Sequence, residues 1–533
     1  MKRIYLIASI ITVVIITAFN ANKPFSEKSS QAKVKGVVNV SNVEKKNILF
    51  LSIDDLKPLL SNYGESQMYT PNFDRLAKMG MTFTNAHVQY AVCGPSRASV
   101  MTGTNPDKTK VWDLHTNFRE SAPDLISMPE YLISRGYQST GVGKIYHKNS
   151  SSSGHDGKSW SIPHRLPKNF DPVYGNAALN NYQSIETKKE VKRLAAEARD
   201  KGISKKGKIQ NYIKKRIKPS TESADVSDEA YLDGIYTQTA LKQIDELEKS
   251  ANPWFLAVGY QRPHLPFVAP KKYWGLYDRD KIELAKFQDL ANGTPSYAYH
   301  SYGELRSYSD IDSKLNIGDK LPEVKQRELI HGYMACISYI DAQLGKLFDE
   351  LEKREILEDT VIVLWGDHGF HLGDHTEWCK HSNFEQATRI PFMFAGPGVK
   401  ENQKSHHPVN LVDLFPTVFE LANVKQSVQT DGKSLVPLLD NDKSTNIDMD
   451  YAYHQYRRQK RMGYGIRTDR YRYTEWHDNN YRSYDIYKKD NIVGRELYDY
   501  EKDPLETRNL VDDLTYASVV KDLKVKLKSH LTK

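Results

Sequence analysis

The sequence predicts an α/β fold, a large mostly parallel sheet flanked by helices, with a smaller C-terminal antiparallel sheet plus helix. Three observations carry this. Residues 47–53, 254–260 and 360–365 are unbroken apolar runs of strand length, the pattern of strands buried on both faces of a parallel sheet. Helical stretches lie between them, at 128–135, 233–247 and 325–351. Past about residue 445 the texture changes to short Tyr- and Arg-rich segments broken by turns, which read as an antiparallel sheet. With 533 residues the chain is too long for one simple core, so one large unit and a smaller one are expected.

Taken in order, Met1-Lys2-Arg3, an apolar run over 4–18 and small residues up to Ala21 read as a signal peptide over 1–21, with a retained anchor as the alternative. The run is short for a spanning helix. Export to the periplasm or the medium is expected, with no stable membrane insertion after cleavage. Residues 22–44 are a polar, Lys- and Ser-rich linker. The large domain spans 45–445. Its first strand ends in Asp54-Asp55, and a helix opens at Thr70-Pro71. A strand over 81–87 leads to Cys93-Gly94-Pro95-Ser96-Arg97. Pro is tolerated in the first helical turn, so Cys93 is expected at a helix N-terminus, where free N–H groups favour anions. Arg97, one turn on, can lean back toward it.

A strand over 137–143 releases Lys144 and His147. Residues 188–218 are strongly basic and helix-compatible, either a solvated insertion or a docking face for a polyanion. The run at 254–260 exits into Arg262-Pro263-His264-Leu265-Pro266-Phe267, where prolines on both sides stiffen the loop that presents His264. The run at 360–365 exits into Gly366-Asp367-His368-Gly369. A polar loop carrying Lys380 and His381 follows, then a strand and turn over 389–398 and a helix over 409–421 with Asp413 near its start. The C-terminal subdomain, 446–533, has strands near 451–456, 463–468, 471–476 and 496–500 and a final helix over 517–531.

Two adjacent carboxylates at the C-terminal end of a buried strand stand where α/β sheets bind ligands. They repel unless a cation holds them. Alone, Asp54-Asp55 is also compatible with a helix cap, and Cys93 with a buried thiol. The second strand ending, Asp367-His368, repeats the design and favours a metal beside Cys93. The three cysteines, Cys93, Cys336 and Cys379, are too few for a disulfide scaffold. Cys336 reads as core, and Cys336–Cys379 is the only pairing left to consider. The net charge of +8 suggests an anionic substrate, and the excess of 33 Tyr over 17 Phe suits carbohydrate. No nucleic-acid-binding pattern is present.

Cys-x-Pro-Ser-Arg followed by Ala98-Ser99-x-x-Thr102-Gly103 resembles the signature of the type I sulfatases of the alkaline phosphatase superfamily, over roughly residues 45–515. Asp54-Asp55, the Arg-Pro-His-Leu-Pro-Phe loop, Gly-Asp-His-Gly and Lys380-His381-Ser382-Asn383-Phe384 are similar to the iduronate-2-sulfatase branch. The resemblance implies an alkaline phosphatase-like fold for the 45–445 catalytic domain. It also implies that a formylglycine-generating maturation enzyme oxidises Cys93 to Cα-formylglycine. Asp54, Asp55, Asp367, His368 and residue 93 are then the implied ligands of one Ca²⁺. Arg97, Lys144, His147, His264 and Lys380 are the implied sulfate-binding and acid/base set, with His264 as acid toward the leaving sugar oxygen and His147 as base. The hydrated aldehyde supplies a nucleophilic hydroxyl and a second one for release of sulfate. The expected activity is an exo-acting 2-O-sulfatase on a uronic acid or similar pyranose of a sulfated oligosaccharide, from a glycosaminoglycan or an algal polymer such as ulvan. Two alternatives stay open: a formylglycine-dependent phosphodiesterase or phosphonate hydrolase, and a non-catalytic polyanion-binding protein.

Overall fold

The strand β1 (Asn47–Ile53) lies at the middle of the sheet that organises the molecule. We describe a computed structural model of the chain over residues 44–532, apart from 152–154, 166–180, 441–448, 479 and 482–486. The expected signal peptide and all but the last residue of the linker lie outside the described residues. The other strands of this sheet are β2 (Gly80–His87), β3 (Gln138–Gly143), β4 (Trp254–Tyr260), β5 (Thr360–Gly366), β6 (Arg389–Ala395), β7 (Gln403–Ser405) and β8 (Val409–Asn410). The order is β7-β2-β6-β5-β1-β4-β3, with β8 also on β2. β1 runs parallel to β4 and β5, and β3 runs parallel to β4. β6 is antiparallel to both its neighbours, β5 and β2. The expected mostly parallel sheet is present, with one reversed strand inside it.

Successive β1 side chains point to opposite faces, and each face is covered, which is why the strand is apolar throughout. Leu49, Leu51 and Ile53 enter one core with α6 (Leu232–Leu247) and the long α7 (Glu323–Lys353). Ile48 and Phe50 enter the other, with α2 (Cys93–Thr102), α3 (Met128–Ser134) and α8 (Leu414–Leu421). The first helix, α1 (Pro71–Lys78), starts on Pro71 as expected, although Thr70 makes no side-chain cap. The basic stretch folds as two helices, α4 (Ile185–Asp200) and α5 (Lys206–Lys214), around a small core of their own.

The expected helix over 409–421 is corrected. Val409 and Asn410 pair with Ala86 and His87 as β8, residues 411–413 form one tight turn, and the helix begins only at Leu414. A strand edge offered by β2 outcompetes the local helical pattern. All three cysteines are free and buried. Among the described residues no helix is long and apolar enough to cross a membrane.

The smaller sheet is antiparallel, as expected: β9 (Ala452–Arg458), β10 (Arg461–Arg467), β11 (Tyr471–His477) and β12 (Ile492–Asp499), with α9 (Ala517–Leu531) against it. It is tied to the large sheet's loops by the buried Arg467 and the half-buried Arg458. Arg467 Nε donates to Glu385 Oε2 at 3.0 Å, and Arg458 donates to the Tyr299 and His381 carbonyls. Together these elements form one compact unit from Glu44 onward.

Candidate active site

Four adjacent parallel strands end side by side, and each releases a polar group there. β1 gives Asp54 and Asp55, β5 gives Asp367 and His368, β3 gives Lys144, and the loop after β4 gives His264. The pairing continues one step past the strands. Asp54 N–H donates to the Tyr260 carbonyl at 3.2 Å, Asp367 N–H to Ile53 at 3.2 Å, and Lys144 N–H to Gly259 at 2.8 Å. Gly143 leaves β3 at φ +80, and a Cβ on Gly259 would stand 2.2 Å from the Lys144 oxygen, so the turn at Lys144 needs glycine on both strands.

Cys93 is the first residue of α2, after an extended Val92, and is 3 % exposed. Its Sγ lies 3.2 Å from His368 Nε2 and 3.9 Å from Asp55 Oδ1. His368 Nδ1 faces the Gly369 carbonyl at 3.0 Å, which leaves Nε2 directed at the cluster, 3.3 Å from Asp55 Oδ1 and 3.6 Å from Asp367 Oδ1. The ligand-type atoms of Asp54, Cys93, Asp367 and His368 all lie within 4.8 Å of one another, and so do those of Asp54, Asp55, Cys93 and His264. Three buried carboxylates with one imidazole are a donor set that could hold a divalent cation.

Cations surround the carboxylates. Arg97 is fully buried, and its guanidinium is spent on protein oxygens: Nε to Asp367 Oδ2 at 2.8 Å, Nη2 to Asp54 Oδ1 at 3.3 Å, and Nη1 to Ser52 Oγ and the Lys144 and Ile145 carbonyls. It therefore braces two strand ends and lies over Trp365, 5.5 Å from the ring centre. Lys144 pairs with Asp54. Burial alone would push Asp54 up, but Lys144, His264 and Arg97 hold it well below the usual carboxylate range. Burial raises the Cys93 thiol well above its ordinary value, and Asp54 adds to the rise, so a free thiolate is strongly disfavoured here.

Lys380 is buried as well. Its Nζ meets Asp55 Oδ2 at 2.8 Å and Glu304 Oε1 at 2.9 Å. Burial opposes its charge, and Asp55 and Glu304 more than restore it. His264 Nε2 is 3.4 Å from Glu304 Oε1 and 4.0 Å from Asp55 Oδ2, with Nδ1 2.7 Å from the Leu265 carbonyl. His147 is partly buried, its Nδ1 has no hydrogen-bond partner, and burial with Lys144 nearby draws its pKa down to about 3. Its ring is therefore uncharged at pH 7.

Asp54, Asp55, Cys93, Arg97, Lys144, His264, Asp367, His368 and Lys380 thus stand in or directly behind one cluster, and the charges of Lys144, Asp54 and Arg97 reach His147. Glu304 and Tyr333 are not among the residues read from the sequence, and His381 enters there only as part of a motif. Glu304 binds Lys380 and faces both His264 and His381, whose Nε2 is 3.0 Å from Glu304 Oε2. His381 also meets Tyr456 Oη of β9 at 3.1 Å, so the small sheet reaches the site's edge. Tyr333 of α7 donates to the Asp55 carbonyl at 2.7 Å. Residues 299–309 around Glu304 show no strand or helix period, so no pattern pointed to them.

The family model described as sulfatase matches residues 46–424, and that of the N-sulphoglucosamine sulphohydrolase C-terminal region matches 373–533. The first match covers the whole cluster. This chain belongs to the sulfatase family. It is a sulfuric ester hydrolase with the alkaline phosphatase-like fold expected from its signature. Human (Homo sapiens) iduronate 2-sulfatase is 30 % identical, over 89 % of this chain and 92 % of that protein. Two solved structures, both at 21 % identity, share the fold across 92 % of this chain. One is BT4656 in complex with its substrate D-glucosamine-2-N,6-O-disulfate (TM-score 0.68, 98 % of that chain). The other is BT1596, a 2-O GAG sulfatase (TM-score 0.67, 92 % of that chain).

Proposed function

We propose that this sulfatase is exported and acts as an exo-2-O-sulfatase on a uronic acid or similar pyranose at the end of a sulfated polysaccharide, a glycosaminoglycan or an algal polymer such as ulvan. The observation that carries the reading is the convergence of Asp54, Asp55, Asp367, His368, Lys144 and Lys380 around residue 93. Likeness to iduronate 2-sulfatase over nearly the full length of both chains supports the 2-O-sulfated uronic acid. The depth of the cluster, with Asp55 at 0 % and Lys380 at 3 % exposure, favours a chain end over an internal residue.

Asp54, Asp55, Asp367 and His368 would hold a Ca²⁺, which supplies Lewis-acid activation and positive charge beside residue 93. Cys93, oxidised to Cα-formylglycine by a maturation enzyme, would supply an aldehyde hydrate with two hydroxyls where a thiol has none. Lys144 and Lys380 would neutralise charge that grows on the sulfuryl oxygens. His264, whose pKa burial draws below its ordinary value while Asp55 and Asp54 push it back up, would give a proton to the departing sugar oxygen, with Glu304 Oε1 3.4 Å from its Nε2. His147, held neutral, would take a proton from residue 93. Arg97 would act indirectly by fixing Asp54 and Asp367.

A parallel assay of an aryl sulfate, 2-O-sulfated uronic acid disaccharides and phosphate diesters tests this. Release of sulfate from the disaccharide is expected. Turnover of the diester alone would replace the reading with a phosphodiesterase, and binding without turnover would replace it with a polyanion-binding protein.

A further inference from the structure

The basic helical pair stands apart chemically from the rest of the chain. Residues 185–218 contain thirteen Lys and Arg against four Asp and Glu, a net of +9, while the whole chain carries +8. The remaining residues are therefore almost neutral, and the excess positive charge is concentrated in one short module. α4 turns Thr187, Val191, Leu194, Ala195 and Ala198 inward, and α5 adds Ile209 and Ile213. The helices thus fold on each other, which leaves the lysines on the outside. Lys189, Lys192, Lys205, Lys206, Lys208 and Lys215 are exposed, and none of them meets a carboxylate among the described residues. Two of the four acids are spent locally, Glu190 and Glu197 on Arg193 and Glu197 on Lys201. An ordinary solvated helix mixes signs to shield itself, whereas this one keeps a surplus that only a polyanion would neutralise.

The module is also joined to the site. The Lys218 N–H donates to Ser309 Oγ at 2.8 Å, the Lys218 carbonyl accepts from the Ser309 N–H at 2.9 Å, and Lys218 Nζ reaches Ser307 Oγ at 2.8 Å and lies 4.0 Å over the Tyr308 ring. The same short segment begins with Glu304, which holds Lys380 and faces His264. One stretch of six residues therefore has the candidate catalytic lysine at one end and the root of the basic pair at the other.

We propose that the α4–α5 pair is a docking surface for the sulfated chain beyond the sugar being cleaved, so that the preferred substrate is an oligosaccharide several residues long. This rests on the sulfated-sugar reading above and adds the polymer's length and charge to it. A cluster of exposed lysines binds by summed Coulomb attraction rather than by fixed hydrogen bonds. It therefore raises capture of long substrates and leaves the chemical step unchanged.

The test compares the wild-type enzyme with a Lys189→Glu, Lys192→Glu, Lys205→Glu, Lys206→Glu variant on two probes, a heparin-derived disaccharide and an octasaccharide, each ending in a 2-O-sulfated uronic acid. For the variant, kcat/KM on the disaccharide should stay within about twofold, because surface charges at a distance act weakly on a small substrate. On the octasaccharide it should fall about tenfold or more, and the wild-type advantage on that probe should fade with added salt. Equal rates of both proteins on the octasaccharide, or equal losses on both probes at unchanged Tm, would overturn the proposal. If the reversed variant melts early, the corresponding four Lys→Gln changes should show the same selective loss in smaller measure. Calorimetric binding of the octasaccharide reads the surface without turnover. Inactivity of the wild type on both probes would defeat the sulfated-sugar reading, whereas loss of binding in the variant would still support the surface. Equally tight binding of a DNA oligonucleotide of matched charge, with no rate advantage for the octasaccharide, would contradict a glycan-docking role.

Discussion

Lys380 Nζ lies 2.8 Å from Asp55 Oδ2, both buried, and the same ammonium meets Glu304 Oε1 at 2.9 Å. One cation therefore joins a candidate metal ligand to the wall that carries His264. Removing one partner of such a pair strands the other's charge, which costs about 3–5 kcal/mol when nothing else compensates.

Lys380→Met should therefore melt at a lower temperature than wild type in chelator, and Ca²⁺ should recover more of its Tm than it adds to wild type, because the metal would then face an unneutralised Asp55. Its kcat should fall about a hundredfold or more, the scale of losing a preorganised charge at the transition state. Calorimetric melts with and without Ca²⁺ check this. An equal Ca²⁺ effect in both proteins would separate Lys380 from the metal cluster.

Glu304→Gln keeps the shape of the wall and removes the charge facing His264. Proton donation matters most when the leaving group is a poor one. Hydrolysis of a sulfated sugar should fall about a hundredfold, the lower range for loss of acid catalysis, and hydrolysis of 4-nitrocatechol sulfate much less. Equal losses on the two substrates would show that Glu304 only supports the fold.

Buried neutral histidines make the fold sensitive to acid. His87 is fully buried, with Nε2 2.8 Å from Asn85 Oδ1, and burial lowers its pKa from 6.5 to about 3. In the unfolded chain it binds a proton below about pH 6.5, and in the folded chain only near pH 3. The unfolded state therefore carries more protons between those values, so this contribution is present above pH 6.5 and is lost as the pH falls toward 3. His87→Gln should flatten the decline of Tm between pH 6 and pH 4 relative to wild type, within the window about 3–6.5 that this shift opens. Parallel pH profiles for the two proteins would sink the idea.

What could be read from the sequence follows from how each residue is held. Asp54, Asp55 and Asp367 were legible because buried parallel strands announce themselves as apolar runs and their C-terminal ends are visible in one dimension. Cys93 was legible as a helix start because Pro95 sits in the first turn. Arg97 was placed on the correct face, but its partners come from two strands 43 and 270 residues away, so sequence spacing could not show that its guanidinium would be used up on Asp54 and Asp367. Glu304 was illegible for the same reason, lying 76 residues from Lys380 in a stretch without period. The segment 409–421 was misread because its first two residues answer to the edge of β2 rather than to their neighbours in sequence.

The central claim is that residue 93 acts as an oxidised side chain rather than as a thiol. Co-expression with increasing amounts of the maturation enzyme gives a series of preparations, and mass spectrometry of the peptide bearing residue 93 gives the aldehyde fraction of each. Sulfate release from a 2-O-sulfated uronic acid disaccharide should rise in proportion to that fraction and vanish with the unmodified thiol. Full activity from protein whose residue 93 is entirely cysteine would contradict the account.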